Sequence, residues 1–204
     1  MSSVEFFSIV KDLFISGAAA TTAYAAYRGL EKWKSELAGK ADFEVARNFI
    51  RSVYRLRNEI HSCRSPFVLA GEFPEGYRSG MAGLPHKEKG DAWLYVYKNR
   101  WEPVFEAIQE FDGATLEAEA LWGSNVKDKA QALRQLAFRL RTSIDAYLNN
   151  EYSGDQDFAD IDFRTRIMSD LNASGRDTDS LSPAIVASIE DIEAIIRPHL
   201  RRSI

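Results

Sequence analysis

The stretch "LFISGAAATTAYAAYRGLEKWK", Leu13–Lys34, decides how this chain is read, because it fits a membrane-inserted helix, an interfacial one or part of a water-facing helical bundle. Extended back to Phe6, the span Phe6–Tyr27 is about 33 Å long as a helix, against a bilayer core of about 30 Å. Lys11 and Asp12 lie inside it, and Leu13–Tyr27 is built mostly of Ala, Thr, Gly and Ser. Three features favour insertion. Arg28, Lys32, Lys34 and Lys40 follow the span while residues 1–10 carry no basic side chain, which places the C-terminal bulk in the cytoplasm by the positive-inside rule. Tyr24, Tyr27 and Trp33 stand where an aromatic belt is expected. Gly17 and Thr21, like Ala18 and Thr22, repeat small residues four apart, a spacing that lets helices approach closely in lipid. The expectation is an anchor comprising Leu13, Phe14, Ile15, Gly17, Tyr24, Tyr27 and Trp33, single-pass in an inner membrane. The opposing expectation is an Ala-rich soluble helix, since Ala is the best helix former. A cleaved signal peptide fits poorly, for the extreme N-terminus has no basic region.

Beyond this segment the chain has ordinary globular composition. With 45% hydrophobic and 27% charged residues it has enough apolar material for a core. A net charge of −4 opposes any global attraction to nucleic acid. The lone cysteine, Cys63, excludes an internal disulfide and a four-thiolate zinc site.

Helical periodicity dominates. Phe43, Ala46, Phe49, Ile50, Val53, Leu56 and Ile60 recur at three and four, with Gly39 before them as a possible break. Residues 64–91 are rich in Pro and Gly without periodicity and predict a long loop. From Asp91, read as an N-cap, Leu94, Tyr97, Trp101, Val104, Phe105, Ile108 and Phe111 share a face, with a kink expected at Pro103. A short helix, Thr115–Trp122, ends at Gly123, and Ser124 or Asn125 caps a helix bearing Leu133, Leu136, Ala137, Leu140, Ile144, Tyr147 and Leu148. The acidic stretch "GDQDFADIDF" opens a weaker helix that ends near Asn172; after the link "ASGRDTDSLSP", Ser182 and Pro183 open a last helix with Ile185, Ile189, Ile192, Ile195 and Ile196. The predicted class is all-α: residues 1–35 as the N-terminal helix, and residues 36–204 as an antiparallel bundle with the long irregular loop 64–91.

The runs "GLEKWK", "FEVAR", "YRLRNEI" and "CRSPF", continued in "NRWEPVFEAIQEFDGATLEAEALWG" and "IEAIIRPHL", resemble a set of uncharacterised bacterial proteins. That resemblance implies a small membrane-anchored helical domain facing the cytoplasm, and it brings no established activity, cofactor or catalytic residue.

Candidate sites are few. Arg47, Arg51 and Arg55 recur four apart, with Arg57 and Arg64 nearby, a pattern suited to an anion or a lipid headgroup, or to a solvated face paired with Glu44 and Glu59. His61 and Cys63 have no second cysteine, and residues two apart point to different sides of a helix, so metal or nucleophilic chemistry lacks partners. Glu102, Glu106 and Glu110 lack the Glu-x-x-His pairs of a di-iron bundle, and Asp155, Asp157, Asp160 and Asp162 lack the glycine and glutamate of an EF-hand. Nucleotide, hydrolase and zinc-protease motifs are missing. The leading expectation is a non-enzymatic, membrane-tethered protein whose cytoplasmic bundle meets a protein partner or self-associates, with Phe67, Phe73 and Tyr77 as interface anchors. The alternative is a soluble bundle that binds a small anionic ligand, or acts as an enzyme, through an Arg/His face gathering Arg51, Arg55 and His61. No cofactor is expected in either case.

Overall fold

The computed structural model describes residues 3–77, 84–154, 156–173 and 179–200, with side chains at Lys11 and from Phe14 onward. Residues 78–83 of the expected loop, Asp155 and residues 174–178 of the expected link lie outside the described residues, as does the side chain of Leu13. Among the described residues there are five α-helices: α1 (Ser3–Cys63), α2 (His86–Trp122), α3 (Ser124–Ser153), α4 (Ile161–Leu171) and α5 (Leu181–Ile196). Two 3-10 turns, Ala70–Glu72 and Asp157–Ala159, sit between them.

α1 includes Gly39 without a break, and its residues divide between two compact units, the first running to Glu44 and the second beginning at Val45. In the first unit Phe14, Ile15, Tyr24, Tyr27, Trp33 and Gly17 are all exposed. The hydroxyls of Thr21 and Thr22 donate to the carbonyl of Ala18, at 2.9 and 2.8 Å, and thus stay within their own helix. Among the described residues no helix is long and apolar enough to cross a membrane. The expected anchor, the single-pass inner-membrane placement and the membrane tether are therefore corrected. The physical reason is composition: Ala, Thr, Gly and Ser between charges at Lys11, Asp12 and Arg28 do not supply the roughly 20 predominantly apolar residues a span needs.

The second unit, from Val45 onward, is an antiparallel bundle. Arg55 of α1 pairs with Glu106 and Glu110 of α2, while just past the end of α1 the Ser65 carbonyl accepts from Arg100, so these helices run in opposite directions. Asp112 with Arg134 and Glu119 with Lys127 set α2 against α3 in the same sense. Tyr54–Glu193 and Arg64–Ser182 orient α5 against α1, and Lys129–Asp191 orients it against α3. The result is a ring of α1, α2, α3 and α5, with α4 packed against α3.

The apolar stripes meet inside this ring. Ala46, Phe49, Val53, Leu56 and Ile60 of α1 are fully buried, as are Val104 and Ala107 of α2, Leu133, Ala137 and Ile144 of α3, and Ile196 of α5. Phe49 stacks on Phe111 with ring centroids 5.8 Å apart. Burying each large aliphatic or aromatic side chain here is worth about 1.5–3 kcal/mol. The α2 face keeps Tyr97, Val104 and Phe111 inside as expected and adds Val96 and Ala107, whereas Leu94 and Phe105 are 44% and 51% exposed. α2 also starts at His86 rather than Asp91 and absorbs the expected separate helix through Trp122.

The polar contacts that tie the segment after α1 to α2 converge on Arg100. Arg100 of α2 donates from Nε to Glu72 Oε2 at 2.6 Å and from Nη2 to Oε1 at 3.0 Å, and it also donates to the carbonyls of Ser65 at 2.8 Å and Phe67 at 2.7 Å. That fork satisfies loop carbonyls that would otherwise need water. The guanidinium beside Glu72 holds its carboxyl below the usual range against the opposing effect of burial.

Candidate functional site

α1 ends where Arg64 N–H bonds to Ile60 O at 3.1 Å and Ser65 N–H to Ser62 O at 3.1 Å, turning the chain toward Phe67. α4 begins at Asp160, an N-cap whose carboxylate accepts from Asp162 N–H and Phe163 N–H, satisfying donors a helix start leaves open. Between these two ends lies an open groove of about 1350 Å³. Its α1 side carries His61, Ser62, Ser65, Pro66 and Phe67; its α4 side carries Ile161, Arg164, Thr165, Met168 and Ser169, with Asn172 and Ala173 closing one end.

Beside the groove, and bonded to the carbonyls of its lining residues Ser169 and Asn172, lies a buried polar cluster. Arg64, 1% exposed, donates to the carbonyls of Asp170 (2.6 Å), Ser169 (3.1 Å) and Asn172 (3.4 Å), to Ser182 Oγ (2.7 Å) and to Asp179 Oδ1 (2.7 Å). Its own carbonyl accepts from Ala173 N–H at 2.9 Å. One residue thereby joins the end of α1, the last turn of α4 and the first turn of α5. Beside it Arg139 grips Asp170 through two bonds, 2.9 and 2.6 Å, and Ser143 Oγ donates to the same carboxylate at 2.9 Å. Burial favours the neutral form of Asp179, yet the Ser182 amide, the Arg64 guanidinium and the Ser182 hydroxyl outweigh it and hold the carboxyl below its ordinary range. A buried charge set satisfied this completely fixes geometry, because any partial loss leaves desolvated groups unpaired.

The expected site residues are dispersed by this arrangement. Arg64 is sealed in the cluster with its N–H groups engaged, and offers nothing to a ligand. Arg55 is bound to Glu110 and Glu106. Arg47 and Arg51 line a shallow recess on α1 together with Tyr54, Arg55 and Glu59, and His61 is not among its lining residues, so the Arg51–Arg55–His61 pocket does not form. Of the expected interface anchors Phe67 is 79% exposed, Phe73 is 8% exposed, and Tyr77 is half-buried against Phe73 with centroids 4.8 Å apart. Phe73 also meets Trp93 edge-on at 5.2 Å, which makes it a wedge holding the loop to α2.

His61 and Cys63 point apart as their spacing requires. His61 is exposed, whereas Cys63 is 2% exposed and burial pushes its thiol up to about 11. Among the described residues no three His, Cys, Asp or Glu side chains are placed to hold a metal ion. Arg164 and Thr165, which face the groove from α4, carried no sequence signal: each is a polar residue on a short helix, and only the folding of α4 against the end of α1 gives it a role.

No family model matches the chain, and no curated protein or solved structure is similar to it. The family resemblance rests on the quoted residues alone.

Proposed function

We propose that this chain is a helical ligand-binding protein whose groove takes an amphipathic anion. One observation carries the reading: among the described residues the groove lining holds a guanidinium, an imidazole and hydroxyls beside an apolar rim, and no Asp or Glu. Arg164 has no carboxylate partner among the described residues, and neither it nor His61 is drawn into another hydrogen bond by its side chain there, unlike the buried Arg64. Arg164 supplies the charge and His61 a ring N–H donor, which imidazole has in either protonation state. Ser62 and Thr165 add exposed hydroxyls. The exposed Phe67 and Ile161, at 79% and 75%, with Met168 offer surface for an apolar body.

The groove is open, and its lining runs along α4 from Ile161 to Ser169, about 12 Å of helix, so an elongated ligand can lie along it. Octanoate, with octanol as the uncharged control, tests this by calorimetry and thermal unfolding of the full chain. Saturation at about a hundred times Kd stabilises the fold by about 2.7 kcal/mol, a Tm rise of roughly 5–10 °C for a domain of this size. Arg164→Gln is expected to weaken octanoate at least about tenfold and leave octanol unchanged. Equal binding of the acid and the alcohol refutes the anionic reading.

A further inference from the structure

A second recess adjoins the groove, and His61 lines both. This cleft of about 260 Å³ lies between α1 and α5 and is lined by Arg57, Asn58, His61, Ser182, Ile185 and Val186 above the buried Arg64. Like the groove, it has no acidic side chain in its lining among the described residues. Arg57 stands four residues before His61, hence on the same face of α1 about one turn, or roughly 6 Å, away along the axis.

Arg57 is oriented but not neutralised. Its Nε and Nη2 donate to the neutral Asn58 Oδ1 at 3.2 and 3.1 Å, and its guanidinium lies 4.9 Å from the centroid of the Tyr54 ring. It has no carboxylate partner among the described residues, whereas Arg55, two positions earlier, is engaged by Glu106 and Glu110. Arg64, beneath His61, is matched by Asp179, so the excess charge above it belongs to Arg57 and Arg164. Val186, 51% exposed, continues the apolar surface on the α5 side.

We infer that groove and cleft act as one site for an elongated ligand with an anionic group at each end, Arg164 receiving one, Arg57 the other, and His61 standing between them. The inference rests on the proposed anion-binding groove and names its ligand class: a dicarboxylate or bisphosphate with an apolar linker, recognised by its two charges.

Calorimetry on the full chain compares octanedioate and dodecanedioate with octanoate and dodecanoate, using 1,8-octanediol bisphosphate to distinguish phosphate from carboxylate preference. At least one diacid is expected to bind about tenfold or more tighter than its monoacid. Arg57→Gln should bring that ratio to about one, and Arg164→Gln should weaken both members of each pair. Arg57 is exposed, so its replacement leaves the core intact, and an unchanged far-ultraviolet circular dichroism spectrum verifies this. Equal affinities of mono- and dianions in the wild type, with the bisphosphate no tighter, overturn the two-anion site and leave the single-anion groove standing. Binding of neither class overturns both.

Discussion

Replacing Arg64 with alanine removes the one side chain that joins α1, α4 and α5, and its cost follows from what is left behind. The carbonyls of Ser169, Asp170 and Asn172 and the carboxylate of Asp179, which is 6% exposed, each lose a donor. Breaking a buried pair on one side costs about 3–5 kcal/mol, because the remaining charge stays desolvated. With a Tm shift of about 2–4 °C per kcal/mol for this size, Arg64→Ala should melt roughly 10 °C below the wild type. Arg64→Lys keeps the charge without the planar fork and should fall in between. Urea unfolding followed by circular dichroism, run on Arg64→Ala, Asp179→Ala and the double variant, gives the coupling energy directly. The acid limb supplies a second readout. Asp179 has a folded pKa below its unfolded value of about 3.9, so its contribution is present above that pH and disappears as the pH falls through the lower folded value. The stability gap between wild type and Asp179→Asn should therefore narrow below about pH 4. A cost of less than about 1 kcal/mol for Arg64→Ala, or additive single variants, would show that the cluster does not hold the three helices together.

Cys63 should resist iodoacetamide at pH 8 in the folded chain and react fully in urea, since burial keeps the thiol protonated; rapid native alkylation would contradict its placement. With the folded pKa raised to about 11 against an unfolded value near 8.5, the stability it contributes is complete below the unfolded value and declines as the pH rises toward about 11, a decline that Cys63→Ala should remove. Gly90→Ala would place a methyl 2.3 Å from Tyr152 Cδ1 and 2.6 Å from Cγ, too close to the root of the ring for a simple swing. It should cost about 1–3 kcal/mol in chemical denaturation, and Tyr152→Ala should restore most of it; an unchanged midpoint for Gly90→Ala sinks the packing argument.

The core stripes of α1, α3 and α5 were legible because uninterrupted three-and-four spacing survives any choice of neighbours. Ala46, Phe49, Val53, Leu56 and Ile60 are all inside as that spacing demands. α2 was harder: its sequence is apolar on more than one side, and Leu94 and Phe105 lost the interior to Val96 and Ala107. Length misled the reading of the N-terminus, where about 33 Å of helix suggested a bilayer although its Ala, Thr and Ser carry little transfer energy. Little of the site was legible. Arg64 and Asp179 are 115 positions apart, and nothing local distinguishes an arginine destined for burial from Arg57, which stays in water. His61 was readable as a candidate, but its partner Arg164 depends on how α4 settles against the end of α1.

Gly123, the sole residue between α2 and α3, has φ 84° and ψ −174°, a conformation essentially reserved for glycine. Two long helices joined by so short a hinge meet almost without closing a loop, so their pairing costs the unfolded chain little entropy. By contrast α1 must span the segment up to His86 before it reaches α2. Order of assembly is thus written into connection length: the α2–α3 hairpin is the natural early template, and α1 and α5 arrive as its lining. The groove lined by the end of α1 and by α4 depends on connections longer than the α2–α3 hinge, so its lining comes together only when those distant segments meet.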